Sequence, residues 1–588
     1  MAITRKKLLT TSLLFSLLSA ISFPITGFAN TTATITVDYS VDKGASNHIA
    51  SGFLHGISAT SPSQYLIDGV DVQSIRGTDY HTNLPSLFDQ TTYNRVAATG
   101  ADMMVGVYYR AVAQNIWPGD TATEAQWENV VADVVNESIS KSYNITSWIT
   151  WNEPQLQWNT SARPISKYMR AHELAYKKIK AILPSAKVQA PENHVYSLSF
   201  LTSFLTYCKT NNCLPDILSW HELAAGQLDI EAHTSEIKAW MIANGITPMP
   251  IAITEYQGIT YDSATTTTSY PGLNISYLAR LERSAVNGVA YGLKSAWEFV
   301  GSDPNFKASL GDLANRNTAL LPKGIWWVYN AYKDMTGRLV QTTSSNQQYS
   351  EAFASSDTTM KRSVILVGTG NAVTPHDPVL TLNNIPAYLQ TSGKVHVRAE
   401  KIINADILMS PSVMIEGDYT VSGNSLTLNL PTLDPKAAYK IYVTSGTAAA
   451  ATTNYEAESL TAQYTSGLTY STFTEASASG GSATALYANA VGQNVKFTIN
   501  VPTARIYDLS AILKKESNRA FFQLYINGKA YGSPKDEYGT AQYYTTDFGK
   551  IQFTSSGNQT LEFRVVGKNS SSSNYLMVFD KFILTKLN

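Results

Sequence analysis

Between about residues 50 and 340, short apolar runs alternate with amphipathic helical stretches, and that rhythm confines the chain to a parallel sheet whose crossovers are helices. Eight runs fit a strand: 52–57, 73–76, 103–109, 148–152, 187–190, 217–221, 251–255 and 295–299. Eight strands with helices between them are what a (β/α)8 barrel requires. The helices carry their own signals. Residues 123–126 form a capping box ahead of Trp127, Val130, Val131, Val134 and Val135, which share one face. Tyr168, Ala171, Ala175, Ile179 and Ile182 make a second stripe between Pro164 and Pro184, and Ile237, Trp240 and Met241 a third that ends at Asn244 and Gly245. These stripes read as core and not as cofactor sites.

Past residue 340 the helical period disappears. Residues 341–445 show alternating runs at 362–367, 394–398 and 439–443, with turns at Gly370, Gly417 and 422–424, which predicts a β-sandwich. Within 30–49 lies one more such run, 33–39; it precedes the barrel and needs a partner, which the sandwich can supply. Residues 446–454, rich in alanine and threonine, read as a linker, and 455–588 as a second, independent β-sandwich. The expected class is α/β: a TIM barrel over 50–340, a β-sandwich, and a C-terminal β-sandwich module.

Residues 1–29 read as an export signal: Arg5, Lys6 and Lys7, an apolar stretch over 8–21, then Gly27, Phe28 and Ala29 as a small-x-small cleavage site. No other apolar run of about 20 residues follows, so the expected product is secreted and has no membrane partner. A net charge of -1, with 15% charged residues, leaves no basic surface suited to nucleic acid. A neutral, polar partner is expected, bound by a monomer; the 34 tyrosines fit a β-rich extracellular chain. Cys208 and Cys213, the only cysteines, are expected to form a disulfide, because export exposes them to oxidant, a metal site lacks further ligands at suitable spacing, and a catalytic thiol lacks an evident histidine.

Two segments concentrate the chemistry. Residues 147–154 and 250–256 each deliver a glutamate, Glu153 and Glu255, at the C-terminal end of an apolar run. That end is where a parallel β/α barrel carries its reacting groups. A glutamate there is ordinarily a surface carboxylate. Two of them, on matching strands, supply the acid and the nucleophile or base that glycosidic bond cleavage needs, with no cofactor. His55, Tyr109, Glu192, Glu222 and Glu298 also fall at expected strand ends and are expected to line the cleft; only the flanking Asn152 and Pro154 set Glu153 apart from the other carboxylates.

The run Trp151, Asn152, Glu153, Pro154, followed three strands later by Ile253, Thr254, Glu255, Tyr256, resembles the signatures of the retaining glycoside hydrolase clan with (β/α)8 barrels, and the barrel followed by a sandwich is most similar to glycoside hydrolase family 39 and its neighbours. The resemblance implies Glu153 as acid/base, Glu255 as nucleophile, Asn152 as holder of the neighbouring sugar hydroxyl, Arg76 and His221 as partners of the nucleophile, and Trp297 as the floor under the sugar. Tyr109 and Tyr256 join them as substrate-contact candidates. The C-terminal module resembles carbohydrate-binding module families 6 and 35 through Tyr455-Glu-Ala-Glu458 and the closing residues 579–584. That likeness implies Glu456, Glu458 and Asp580 as ligands of a structural calcium and Asn574 and Tyr575 as sugar contacts. Together these imply a secreted retaining glycoside hydrolase acting on a polysaccharide or oligosaccharide, endo-acting by preference, with exo-action on side chains and non-catalytic glycan adhesion as the alternatives.

Overall fold

The computed structural model describes residues 31–80, 84–118, 121–223, 228–257, 270–295, 309–314, 321–370, 374–446, 452–553 and 555–586. The expected export signal, Trp297, Glu298 and most of the expected linker lie outside them.

After β1 (Thr31–Ala45) come eight strands: β2 (Gly52–Leu54), β3 (Ser74–Thr78), β4 (Asp102–Gly106), β5 (Ser147–Ile149), β6 (Lys187–Asn193), β7 (Ile217–Leu223), β8 (Ile251–Gln257) and β9 (Val289–Lys294). They close on themselves in chain order, every pair parallel, with β2 meeting β9. The expected barrel is therefore present, with an eighth strand earlier than the expected 295–299, of which only Ser295 is among the described residues. It starts at Val289, directly after Gly288, whose φ of 83° ends the preceding 3-10 turn and starts the extended run. Two other strands stop early for backbone reasons. His55 and Gly56 turn to φ 60° and 96° after Leu54, and Glu153, at φ 47°, caps the helix Pro154–Gln157. Tyr109 opens the helix Tyr109–Ala113 and does not end a strand.

The apolar stripes are core as expected. Trp127, Val130, Val131, Val134 and Val135 on Thr121–Ser140 are buried, as are Tyr168, Ala171, Ala175 and Ile179 on Ile165–Ile182. The Trp127 indole donates to the Ala171 carbonyl at 2.9 Å and ties the two helices together. Cys208 and Cys213 correct an expectation: both are fully buried free thiols, not a disulfide. They pack with His172 as small apolar side chains do, and burial pushes the Cys208 thiol far up, away from the reactive thiolate.

Strand β1 lies inside a nine-stranded sheet formed after the barrel. It runs antiparallel to Arg338–Ser344 and parallel to His376–Asn383, opposing Ile35 to Leu380 and Val37 to Leu382. Helix Pro271–Ser284 lies close against this sheet. A Cβ on Gly272 would stand 2.4 Å from the Pro435 carbonyl oxygen, and Arg280 and Arg283 both reach buried Glu351, at 2.9 and 3.1 Å. The C-terminal module has two packed antiparallel sheets around Phe497, Phe522, Phe563, Phe579 and Phe582. A cavity of about 1470 Å³, lined by Arg398, Tyr442, Lys515 and Tyr544 among others, lies between it and the nine-stranded sheet. No described helix is long and apolar enough to cross a membrane.

Gly272 permits the barrel to seat on the sheet, so Gly272→Ala is expected to overpack that contact at about 1–3 kcal/mol. Calorimetry should show a melting midpoint several degrees lower, while Gly417→Ala, whose nearest neighbour would be 3.9 Å away, stays at the wild-type value. Equal midpoints for both would refute the close approach.

Candidate active site

Side chains alternate along a strand, so a residue aimed into the barrel leaves its neighbours aimed out. On β8 this sends Glu255 inward and Tyr256 outward. Tyr256 is fully buried, stacks on Tyr277 with centroids 5.3 Å apart, and shares its hydroxyl with the Ala50 carbonyl and the Tyr329 hydroxyl, each at 2.7 Å. The expectation that Tyr256 touches substrate is thus corrected. Glu222 leaves the site for the same reason: it accepts from the Trp220 indole at 2.8 Å and meets His233 at 2.7 Å.

The inward groups converge on Arg76, at the middle of β3. Its Nη1 donates to Glu255 Oε1 at 2.9 Å and its Nη2 to Asn152 Oδ1 at 2.6 Å; Glu192 Oε2 lies 3.4 Å away. His221 stands beside them with Nε2 3.5 Å from Glu255 Oε1 and Nδ1 3.4 Å from Glu153 Oε1, contacts of charge and not aligned hydrogen bonds. One oxygen of Glu153, one of Glu255 and a ring nitrogen of His221 all lie within 4.8 Å of one another. Ser295 donates to the other Glu255 oxygen at 3.4 Å. Glu153 and Glu255 keep 8% and 3% exposure, whereas Glu192 and His221 keep none; the first two form the surface of the cluster and the others its floor.

Local backbone departures produce this convergence. The register of β6 against β7 shifts around Glu192, and that of β7 against β8 shifts at His221. Such bulges re-aim side chains beside active sites. Glu192 and Glu153 both adopt left-handed φ, 60° and 47°, and the Glu153 amide donates to the Glu192 carbonyl at 2.8 Å.

Charge follows geometry. Burial opposes ionisation of Glu192, yet the Arg76 charge, His221 and the Gln189 amide outweigh it and hold its carboxyl down at about 2. Burial and the Arg76 guanidinium 3.5 Å from Nε2 oppose a cationic His221, but Glu255, Glu153 and Glu192 raise it to about 9. Glu153 is lowered: burial is outweighed by the contact with His221, then by Arg76 and His194.

Of the remaining expected residues, Tyr109 stacks on Tyr108 at 4.3 Å and approaches His55 Nε2 with its hydroxyl at 3.4 Å. Asn574 and Tyr575 sit in a loop of the C-terminal module, where the Tyr575 amide donates to the Asn574 side chain at 3.0 Å and Lys568 lies over the Tyr575 ring. The Ser479 Oγ lies 2.5 Å from Glu456 and 2.7 Å from Asp580, which also accepts from the Ser479 amide at 2.9 Å, and Glu458 approaches the adjoining Gly480. Gln189, Thr254, Ser295 and His194 were not singled out from sequence; only their places beside strand ends could have marked them.

No family model matches the chain. Among curated proteins it is similar to the 3-O-β-L-arabinopyranosyl-α-L-arabinofuranosidase of Bifidobacterium pseudocatenulatum, 24% identical over 70% of this chain and 47% of that one. It is also similar to the 3-O-α-D-galactosyl-α-L-arabinofuranosidase of Bifidobacterium longum subsp. longum, 23% identical over 70% of this chain and 40% of that one. The chain thus spans less than half the length of either relative. Among solved structures, N2152 from Neocallimastix frontalis superposes with a TM-score of 0.60 at 23% identity, covering 71% of this chain and all of that one. The GH39 enzyme of Xanthomonas axonopodis pv. citri superposes with a TM-score of 0.52 at 14% identity, covering 71% and 98%. The expected likeness to family 39 is therefore found among solved structures, and at these identities it is a likeness of fold.

Removing the central cation should expose what it holds. Arg76→Met is expected to cost about 3–5 kcal/mol, since it strands buried carboxylates. In wild type, the depressed Glu192 carboxyl contributes stability that is full above the unfolded value near 4.5 and is lost as pH falls through about 2. Without Arg76 the same carboxyl rises instead and stabilises only where it is protonated. Urea unfolding should therefore show a larger deficit at pH 8 than at pH 5; an equal deficit would contradict this assignment.

Proposed function

We propose that this chain is a secreted retaining glycoside hydrolase that acts as a monomer on an extracellular polysaccharide, with Glu153 as acid/base and Glu255 as nucleophile. The observation that supports it best is the 4.8 Å limit on the separation of the nearest Glu153 and Glu255 oxygens. Retaining sites hold their carboxyl groups about 5–5.5 Å apart, whereas inverting ones leave about 6.5–9.5 Å to admit water.

In the first step Glu153 protonates the departing glycosidic oxygen while Glu255 attacks the anomeric carbon, so the C–O bond breaks as the ester bond forms. In the second, Glu153 takes a proton from water, whose oxygen displaces Glu255. Arg76 and Ser295 orient the Glu255 carboxylate, and Asn152, itself held by Arg76, faces the neighbouring sugar hydroxyl. Endo cleavage is the leading mode. The second reading, exo release of side chains, is favoured by the names of the two curated relatives, both arabinofuranosidases.

For the C-terminal module we propose glycan binding through the loop of Asn574 and Tyr575, and a structural calcium held by Glu456, Glu458 and Asp580. The donor chemistry suits a hard cation, all three being oxygens beside the Ser479 turn with one buried Glu458 oxygen lacking a hydrogen-bond donor, but their oxygens do not all lie within 4.8 Å of one another, so a bound ion would have to draw them together. A chelator should lower the melting midpoint of wild type and leave Asp580→Asn unmoved; a chelator-insensitive wild type would remove the metal from the proposal.

The roles of the two glutamates separate by chemistry. Glu255→Ala should abolish turnover of every substrate, because no glycosyl-enzyme forms. Glu153→Ala should retain the first step on aryl glycosides with good leaving groups, and added azide should release a glycosyl azide of retained configuration. Loss in both variants with no azide response would reverse the assignment. Product sizes from a polysaccharide panel decide between endo and exo action, and no release from any glycan would support the adhesion alternative.

A further inference from the structure

Glu192 is the one carboxylate of the cluster that substrate cannot reach, since it is wholly buried beneath the other two. It nonetheless touches four barrel strands. Its Oε1 accepts from Gln189 of β6 at 2.6 Å, and its Oε2 accepts from Thr254 of β8 at 2.5 Å. The same Oε2 lies 3.4 Å from Arg76 of β3 and 3.7 Å from His221 of β7. Its carbonyl receives the Glu153 amide, and Thr254 is the residue before Glu255. Backbone and side chain together connect it to both reacting carboxylates.

We propose that Glu192 is a positioning residue which holds Arg76 and His221 from below and keeps the imidazole cationic, so that the mobile proton of the site belongs to Glu153. This rests on the glycosidase reading for its consequence, and for its premise on the place of Glu192 between Arg76 and His221 together with the raised titration of the ring. Two fixed cations, Arg76 and His221, face two fixed anions, Glu192 and Glu255, and those four charges cancel. The fifth group, Glu153, is then left to exchange the proton above that balance, with His221 beside it favouring its ionised form in the free site. Without the Glu192 charge, a neutral imidazole becomes the lower-energy form, and His221 competes with Glu153 for the proton. The other charged or titratable groups in reach are His194 beside Glu153 and His221, Tyr168 beneath Glu192, and Tyr108 and Tyr109 beside Arg76. Among the described residues, none of them supplies a second fixed anion on the floor.

The test is the titration of the His221 ring by nitrogen NMR, in wild type, Glu192→Gln and Glu192→Asp, without substrate. Wild type should keep the imidazolium through neutral pH and lose it near 9. Glu192→Gln should bring that loss down by about one to three units, the effect of removing one opposite charge in contact, while Glu192→Asp should restore most of it. In parallel, the pH profile of kcat/KM on an aryl glycoside should gain an ionisation between about pH 6 and 8 in Glu192→Gln only, which a merely structural defect would not introduce. An unchanged His221 titration in Glu192→Gln overturns the proposal. So does a neutral His221 at pH 7 in wild type, which decides the matter should the Gln variant fail to fold. A protein that hydrolyses nothing would refute the glycosidase reading, yet the ring titration would still judge Glu192.

Discussion

The Arg76 guanidinium, 2% exposed, is the charge around which this barrel interior is organised. A cation so buried is costly unless several anions and acceptors surround it. Here Glu255, Glu192 and Asn152 do so from three other barrel staves, β8, β6 and the end of β5. The planar fork matters: one nitrogen serves the carboxylates and the other serves Asn152, an arrangement a lysine ammonium cannot copy. Because Asn152 precedes Glu153, a single side chain sets the position of both Glu153 and Glu255.

That convergence requires backbone that regular strands cannot supply. Eight parallel strands of period two give alternating in and out positions, which places Glu255 inward but would not bring three carboxylates and an imidazole to one point. The bulges at Glu192 and His221, with left-handed Glu153 and Glu192, make up the difference. Non-glycine residues in that region cost about 1–3 kcal/mol each and persist only where their surroundings hold them. The Glu153 amide on the Glu192 carbonyl is one such restraint, and the ion cluster is another.

Those departures also explain what could be read from the chain alone. The barrel was legible because strand and helix periods differ and eight repeats of the pattern leave few alternatives. Glu153 and Glu255 were legible because each ends an apolar run. Glu192 was visible only as one of several strand-end carboxylates, since nothing in Pro191-Glu192-Asn193 announces a bulge. Tyr256 was misplaced by proximity to Glu255, although strict alternation already sends it outward. The eighth strand was placed at 295–299, where Trp297 and Phe299 supply the aromatics that strands favour, whereas Gly288 was the better signal. Cys208 and Cys213 looked like a bonded pair because composition and export argue for oxidation, while local packing with His172 is not written in their spacing.

Strand β1 adds a constraint of another kind. It precedes the barrel, yet pairs with Arg338–Ser344 and His376–Asn383, which follow it. The two ends of the barrel are therefore fastened into one sheet, and the helix Pro271–Ser284 between β8 and β9 is pressed onto that sheet through Gly272 and the arginines on Glu351. A closed parallel barrel has no free edge, and the seam where β2 pairs with β9 joins the first strand of the barrel to the last. Opening it would require the ends to separate, which the shared sheet resists. The last strand of the barrel also leads into Ser295, the donor to Glu255. The sheet thus braces the seam on which the contact of the second Glu255 oxygen depends, and the precision of the ion cluster rests in part on strands far from it in sequence.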